Sequence, residues 1–335
     1  MRKMKVETVP ESYKCALEAK FQGTIKEVQY SVNNYINEDR QLVTNQDIDL
    51  AHIGRKIATG EGILKKCNVY LPAGYDENNK AVKYDVLYLL HGVGGDRYEW
   101  LSGDIKNILD NLIAKGDIAP LIVVFPEGRS TTDWTDRSFN TKGINMLGFY
   151  YFDYELRYDL IPLIETNYNT YANINDTSPD AVDYNRKHRA IGGLSMGGMQ
   201  TLNLTLGGYR CDSVEYIGKS SPWGNELDAT VTAPGMLDLF SCAGAFSNAP
   251  TSSNGKVLGK GIASSDYKLD LLFINCGDAD GIAYQIGFEA ATQGLTEAAG
   301  DKLGDYYRVV IKDGVHDFKV WDDGAYNFIR LTFGK

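Results

Sequence analysis

Residues 188–200, HRAIGGLSMGGMQ, decide the fold of this chain. Residues 189–191 favour a short strand, and the apolar residues that follow Met199 recur with the spacing of a helix. Between them, residues 193–197 (GLSMG) match the pattern G-x-S-x-G. In this motif a sharp turn joins a strand to a helix, and glycines stand where the two backbones approach too closely for a Cβ atom. The stretch therefore predicts a nucleophilic serine, Ser195, at the tip of the turn.

The motif needs support from the rest of the chain, because a sequence with 35 glycines can match it by chance. In the α/β-hydrolases, such a serine is followed along the chain by an acid and then by a histidine. Of the four histidines, only His316 comes after Ser195, and it directly follows a predicted strand at residues 306–311. The order rule therefore predicts His316 as the catalytic base.

The acid is expected in the loop after the predicted strand at residues 269–276. This loop contains two carboxylates, Asp278 and Asp280. Either could orient the imidazole and stabilise the imidazolium that forms when the serine loses its proton. The other would have the ordinary role of an aspartate in a turn or at a helix cap. The chemistry of the residues alone leaves both open.

An oxyanion hole requires two backbone N–H groups that point at the developing negative charge. One is expected from Met196, the residue after the nucleophile. The other is expected from the loop at residues 91–95, HGVGG, where we assign it to Val93. This loop follows a continuous apolar run at residues 84–90, which is typical of a central parallel strand buried on both faces. His91 is expected to be a structural residue at the strand end.

Predicted strands and helices alternate along most of the chain, which indicates an α/β fold with a mostly parallel, doubly wound sheet and helices on both faces. No linker-like run and no internal repeat divides the chain, so we expect a single domain over residues 1–335. Residues 33–62 are polar and acidic and form an insertion between the first two strands. Long insertions usually lie on the surface, but lids are also made from them, so this one is a possible lid.

The composition excludes several classes of function. A net charge of −10 argues against nucleic acid or an anionic membrane as a partner, because both require a basic surface. The five cysteines include no C-x-x-C pair, and neither a zinc motif nor a dinucleotide-binding loop occurs, so no cofactor and no metal are expected. The N-terminus lacks the apolar core of a signal peptide, which favours a cytoplasmic protein; the alternative is a secreted protein whose leader is missing from this sequence.

Five blocks, in the same order, resemble the carbohydrate esterase family 1 feruloyl (cinnamoyl) esterases, in the esterase D group of α/β-hydrolases, and the resemblance covers roughly residues 24–333. They are LYLLHGVGGDRYEW, DYELRYDLIPLIETNY, HRAIGGLSMGGMQ, LLFINCGDAD and GVHDFKVW. In that family the acid follows the pattern C-G-x-x-D, which falls on residues 276–280 and implies Asp280 rather than Asp278. The long insertion at residues 33–62 departs from the shorter members, so the resemblance supports the mechanism more firmly than the substrate.

The resemblance implies a serine carboxylic ester hydrolase that cleaves hydroxycinnamoyl esters through an acyl-enzyme. The expected substrate is a small phenolic ester or a feruloylated oligosaccharide of the plant cell wall. Acetyl-xylan esterase and S-formylglutathione hydrolase are the alternatives within the same fold, and an acyltransferase or a non-catalytic carbohydrate-binding protein are further ones. Three tryptophans, Trp134, Trp223 and Trp321, are candidate aromatic walls for the acyl group.

Overall fold

A computed structural model of the chain describes residues 5–36, 38, 42–43, 57–58, 62–140, 143–212 and 228–335. Most strands of this part belong to one sheet. The strands are β1 (Thr24–Asn33), β2 (Leu42–Val43), β3 (Ile57–Ala58), β4 (Gly62–Leu71), β5 (Asp85–Leu90), β6 (Leu121–Phe125), β7 (Arg189–Leu194), β8 (Tyr209–Asp212), β9 (Asp228–Thr232), β10 (Cys242–Phe246), β11 (Leu269–Gly277) and β12 (Leu303–Ile311).

The main sheet of the described residues has eight strands in the order β1-β4-β6-β5-β7-β10-β11-β12. β4 is antiparallel to both of its neighbours, and all other neighbours in the sheet are parallel. The central strands β5 and β6 are apolar and almost wholly buried, because helices cover both faces of a parallel sheet. The predicted mostly parallel sheet is therefore confirmed, with antiparallel pairing confined to its first strands.

Helices pack on both faces of the sheet. Along β5, Val86 and Tyr88 belong to one hydrophobic core and Leu87 and Leu89 to the other, because successive side chains of a strand point to opposite faces. The helices are α1 (Glu11–Lys14), α2 (Ile105–Ala114), α3 (Ile144–Gly148), α4 (Phe152–Glu155), α5 (Ile161–Asn167), α6 (Pro179–Arg186), α7 (Met196–Leu206), α8 (Gly255–Ser264), α9 (Ala290–Thr292), α10 (Leu295–Ala299) and α11 (Phe318–Phe333). Helices α2 and α11 cover one face, and α5, α7 and α8 cover the other.

Several helices differ from the sequence-based expectation. The sequence predicts a loop between residue 168 and the elbow, but this stretch contains helix α6. Helix α8 lies where the sequence gives no prediction. The sequence pattern predicts a closing helix at residues 325–333, but α11 begins at Phe318, because the side chain of Asp317 caps it by accepting a hydrogen bond from the Val320 amide. The sequence also predicts a helix at residues 284–299, but this helix is broken at Gly294, whose φ of 72° lies in the left-handed region.

The polar, glycine-containing sequence of residues 129–149 predicts a long loop, but this stretch contains helix α3, and many of its described residues are buried. Apolar residues share one face over residues 151–168, which predicts an amphipathic helix. The helix is present as consecutive helical segments, with a π-helical segment at Leu156–Leu160 between α4 and α5. Most of the insertion at residues 33–62 lies outside the described residues, so the lid stays a prediction. No helix within the described ranges has both the length and the apolar character needed to cross a membrane.

Candidate active site

Ser195 occupies a strained turn between β7 and α7. Its φ of 51° and ψ of −113° lie outside the regions that residues with a side chain normally adopt. The flanking glycines are required by space, since a Cβ atom on Gly193 would lie 2.4 Å from the Gly197 carbonyl, and one on Gly197 would lie 2.5 Å from the Leu90 oxygen. The strand, turn and helix predicted from G-x-S-x-G are therefore present.

A chain of hydrogen bonds joins Ser195 to a histidine and an aspartate. His316 Nε2 lies 3.1 Å from Ser195 Oγ, and His316 Nδ1 lies 2.7 Å from Asp280 Oδ2. The carboxylate fixes the tautomer of the imidazole, since Nδ1–H donates to Asp280 and leaves Nε2 free to accept the serine proton. Both distances are within the range that proton transfer between these groups requires.

Two adjacent strands bring the acid and the base together. At the carboxyl ends of β11 and β12, Gly277 is paired with Ile311, so the loops that follow them lie side by side. The backbones of the two loops are in direct contact: the Ala279 amide donates to the Gly314 carbonyl at 3.0 Å, and a Cβ atom on Gly277 would lie only 2.1 Å from the same oxygen. This contact places His316 over the Asp280 loop.

The two aspartates of this loop have different partners. Asp280 is buried, and its Oδ1 accepts hydrogen bonds from the amides of Ile282 and Ala283 at 3.0 and 2.9 Å while its Oδ2 faces His316. Asp278 is exposed, and its Oδ1 accepts a hydrogen bond from the amide of Asp313 at 2.6 Å. Asp313 itself adopts a left-handed φ of 56° in the turn before His316. The structure therefore brings Asp280 to the imidazole and leaves Asp278 as a support for the histidine loop.

The environment of Asp280 favours its charged form. Burial by itself would raise the pKa of this carboxyl, but the hydrogen bonds from His316 and from the Ala283 and Ile282 amides outweigh burial and hold the pKa below its usual value. Asp280 therefore remains an anion throughout the neutral range, as a carboxylate that stabilises an imidazolium must.

The turn after β5, which contains Val93, and the start of α7, which contains Met196, approach each other at the serine. Val93 is in a tight turn closed by the Gly95 amide, which donates to the Gly92 carbonyl at 3.2 Å, and Gly94 adopts a φ of 77° there. Met196 is the first residue of α7, where helical amides have no partner within the helix. Among the described residues, no hydrogen bond uses the amide of Val93 or of Met196.

His91 has a structural position, as expected. Its Nε2 accepts from the Gly128 amide at 2.9 Å, so its Nδ1 carries the proton and donates to the Gly92 carbonyl at 2.7 Å. Burial, assisted by the positive charge of Arg129, holds the pKa of His91 far below its usual value. The ring is therefore neutral and ties the turn around Val93 to the loop after β6.

The three tryptophans occupy different places. Trp321 is 8% exposed and packs edge-on against His316, with ring centres 5.2 Å apart. Trp134 is half-buried, and its indole donates to the Leu64 carbonyl at 3.1 Å. Trp223 lies outside the described residues. Their role as walls of an acyl pocket stays a prediction.

An aromatic cluster that the sequence analysis missed lies next to the two free amides. Met196 is a member and Val93 packs against it. Most of the other members of the cluster come from residues 146–154, which the sequence predicts to be partly polar loop and partly helix. Consecutive aromatic residues in FYYFDY, residues 149–154, were the signal that could have revealed it. The buried members from this stretch are Met146, Leu147, Phe149, Tyr150, Tyr151 and Tyr154.

Within the described ranges, no group of three or more histidine, cysteine, aspartate or glutamate side chains could hold a metal ion. The sheet, the elbow and the Ser195–His316–Asp280 arrangement together define the class of the protein as a serine hydrolase with the α/β-hydrolase fold.

The chain belongs to the Esterase family, described as "Putative esterase", whose model matches residues 64–323. Among curated proteins it is similar to endo-1,4-beta-xylanase Y of Acetivibrio thermocellus, with 40% identity over 151 residues, 44% of this chain and 12% of that protein. It is also similar to an endo-1,4-beta-xylanase/feruloyl esterase of Xylanibacter ruminicola, with 37% identity over 148 residues, 43% of this chain and 18% of that protein. The chain thus matches only a small part of the length of these relatives.

Among solved structures, the chain is similar to a CE1 ferulic acid esterase from Anaeromyces mucronatus in complex with ferulic acid. The TM-score is 0.67 at 23% identity, and the match covers 99% of each chain. At this identity the similarity concerns the fold. The comparisons confirm the resemblance noted from the sequence, the α/β-hydrolase fold and, through the family, the serine esterase class.

Proposed function

We propose that this esterase hydrolyses hydroxycinnamoyl (feruloyl-type) esters through an acyl-enzyme formed on Ser195. The observation that carries the mechanism is the hydrogen-bond chain from Ser195 through His316 to Asp280 at the strained turn. The substrate class is supported by a relative named as a feruloyl esterase, and by the aromatic cluster beside the free amides.

The first half of the reaction forms the acyl-enzyme. His316 Nε2 takes the proton of Ser195 as Oγ attacks the ester carbonyl, and Asp280 stabilises the imidazolium. The carbonyl oxygen becomes an oxyanion, which the amides of Val93 and Met196 stabilise by donating hydrogen bonds. When the tetrahedral intermediate collapses, its bond to the alcohol oxygen breaks, and the imidazolium gives its proton to that oxygen. The alcohol leaves, and the acyl group remains bonded to Ser195.

The second half releases the acid. His316, now neutral, takes a proton from water, whose oxygen attacks the acyl carbon of the enzyme ester. The bond to Ser195 Oγ breaks, Oγ recovers a proton from His316, and the hydroxycinnamic acid leaves. A flat aromatic acyl group suits the neighbouring cluster, because aromatic rings bury a large apolar area and pair with one another.

Both curated relatives are named as xylanases, which supports an oligosaccharide as the alcohol part of the ester. The whole substrate would then be a feruloylated oligosaccharide, and the enzyme would act in the degradation of plant cell-wall polysaccharide. Of the three candidate tryptophans, Trp134 and Trp321 lie within the described residues. Both would contribute to the walls of the site, Trp321 through its contact with His316. The cytoplasmic localisation, with secretion as the alternative, stays a prediction.

Ser195→Ala tests the mechanism. Turnover of methyl ferulate should fall by at least roughly 10³-fold with the thermal unfolding temperature little changed, because the variant removes only the nucleophile. Retained turnover would refute the proposal. Rates on methyl ferulate, caffeate, p-coumarate and sinapate, compared with p-nitrophenyl acetate and S-formylglutathione, test the substrate class. A preference for acetyl or formyl groups would favour the acetyl-xylan esterase or S-formylglutathione hydrolase alternative.

A further inference from the structure

A second carboxylate, that of Glu99, lies directly behind the turn that carries Val93. Its Oε2 accepts a hydrogen bond from the Gly92 amide at 2.6 Å. Gly92 in turn lies against the nucleophile, since a Cβ atom built on it would be 3.1 Å from Ser195 Cβ. Glu99 is the residue before the short helical segment Trp100–Ser102. It lies in the block LYLLHGVGGDRYEW, but neither the order of serine, acid and histidine nor the C-G-x-x-D pattern gives it a role.

We propose that Glu99 is a positioning residue for the oxyanion hole. Glu99 fixes the N–H end of Gly92 by accepting its hydrogen bond. The carbonyl end of Gly92 is fixed separately, because it accepts hydrogen bonds from His91 Nδ1 at 2.7 Å and from the Gly95 amide at 3.2 Å. That carbonyl and the Val93 N–H belong to one trans peptide, so they point in opposite directions. With Gly92 held at both ends, the Val93 N–H has a fixed direction, away from the His91 side of the turn.

Glu99 acts through its oxygen atom as a hydrogen-bond acceptor for the Gly92 amide, and not through its negative charge. A carboxylate beside a developing oxyanion opposes it electrostatically, so its charge alone would slow the reaction. Burial raises the pKa of Glu99, and the nearby Asp96 acts in the same direction, whereas the Gly92 hydrogen bond and the charges of Arg129 and His316 lower it. If the acceptor is removed, the Gly92 amide loses its partner and the turn loses one of its anchors.

The turn is also shaped to admit this carboxylate. A Cβ atom on Gly95 would lie 2.1 Å from Glu99 Oε2, so only glycine leaves room for the observed contact. The φ of Gly95 is not in the left-handed region, unlike that of Gly94, so the backbone at Gly95 would accept an alanine. Gly95→Ala therefore displaces the carboxylate without changing Glu99 itself.

This inference rests on the proposed function, and the test compares Glu99→Ala with Glu99→Gln on methyl ferulate. Alanine should lower kcat roughly 10- to 100-fold with KM within about 3-fold, less than the complete loss of an oxyanion donor. An aryl boronic acid, which forms a tetrahedral adduct on the serine, should bind more weakly by a similar factor. Glutamine keeps the acceptor oxygen and should restore kcat to within about 3-fold of the unmodified enzyme.

Gly95→Ala should reproduce the loss seen in Glu99→Ala. The matched control is Asp96→Asn, which removes a charge from the same loop; the Asp96 carboxylate pairs with Arg137 and does not contact Gly92, so kcat should stay the same. Equal losses in the alanine and glutamine variants, an unchanged kcat in a folded Glu99→Ala, or an effect on KM alone would overturn the inference. If the unmodified enzyme released no hydroxycinnamic acid, the proposed function itself would fail, and the boronic acid affinities would still test the role of Glu99.

Discussion

Replacing the two aspartates of the 277–281 loop one at a time separates the residue that acts on the base from the residue that holds its loop. Asp280→Ala removes the 2.7 Å bond to His316 Nδ1 and the acceptor of two backbone amides. The imidazole then loses both its tautomer control and its counter-charge. Loss of this group in other serine hydrolases costs about 10⁴-fold in kcat, or about 5 kcal/mol of transition-state stabilisation.

Asp278→Ala removes a single hydrogen bond, to the amide of Asp313, from an exposed position. Such a bond contributes roughly 0.5–1.5 kcal/mol, so the loss in kcat should stay below about tenfold. The predicted ratio between the two variants is therefore about 10³ or more.

The assay is the initial rate of methyl ferulate hydrolysis at neutral pH, with thermal unfolding as the control for folding. Asp280→Asn provides a matched variant of nearly the same shape, and it should remain as impaired as the alanine variant because an amide can stabilise the wrong imidazole tautomer. Equal losses in Asp278→Ala and Asp280→Ala, or a larger loss in Asp278→Ala, would show that the assignment of the acid is wrong.

Other changes test the core and the surroundings of the base. Lys65→Met leaves the buried Glu155 without the ammonium 2.7 Å away, so the free energy of unfolding in urea should fall by about 3–5 kcal/mol; an unchanged midpoint would contradict this. Trp321→Phe loosens the ring against His316 and should lower kcat more than it raises KM in steady-state assays; a change in KM alone would instead indicate a substrate wall. Burial raises the pKa of Asp322 from 3.8 to about 7, so the stability that its proton provides is lost as pH rises through that window. Asp322→Asn should therefore raise the melting temperature at about pH 8 and change it little at about pH 4, as thermal unfolding would show.

The sequence predicted the elements whose signal is local and strong. The central strands are continuous apolar runs, and G-x-S-x-G fixes a turn because the close approach at Gly193 and Gly197 allows no side chain. His316 was found by chain order alone. Asp280 needed the family resemblance, because the difference between it and Asp278 depends on which way each side chain points at the end of β11.

The elements that were missed depend on tertiary contacts. Helix α8 contains several glycines, which weaken any helical pattern, and it forms because Gly259 packs directly on the backbone of α10, where a Cβ atom would lie 2.5 Å from the Leu295 oxygen. The early start of α11 depends on the side chain of Asp317, which caps the helix. The spacing of apolar residues carries no signal for this cap. The aromatic cluster joins residues 146–154 to Met196, which are distant in the sequence.

The backbone contact between Gly277 and Gly314 has a consequence for chimeric enzymes. Because a methyl group at Gly277 would overlap the Gly314 oxygen, the acid loop and the histidine loop fit each other as a matched pair. A crossover placed between residues 281 and 312 would combine loops from different parents and disturb this fit. Recombination that inherits both loops from the same parent should leave the proton relay intact.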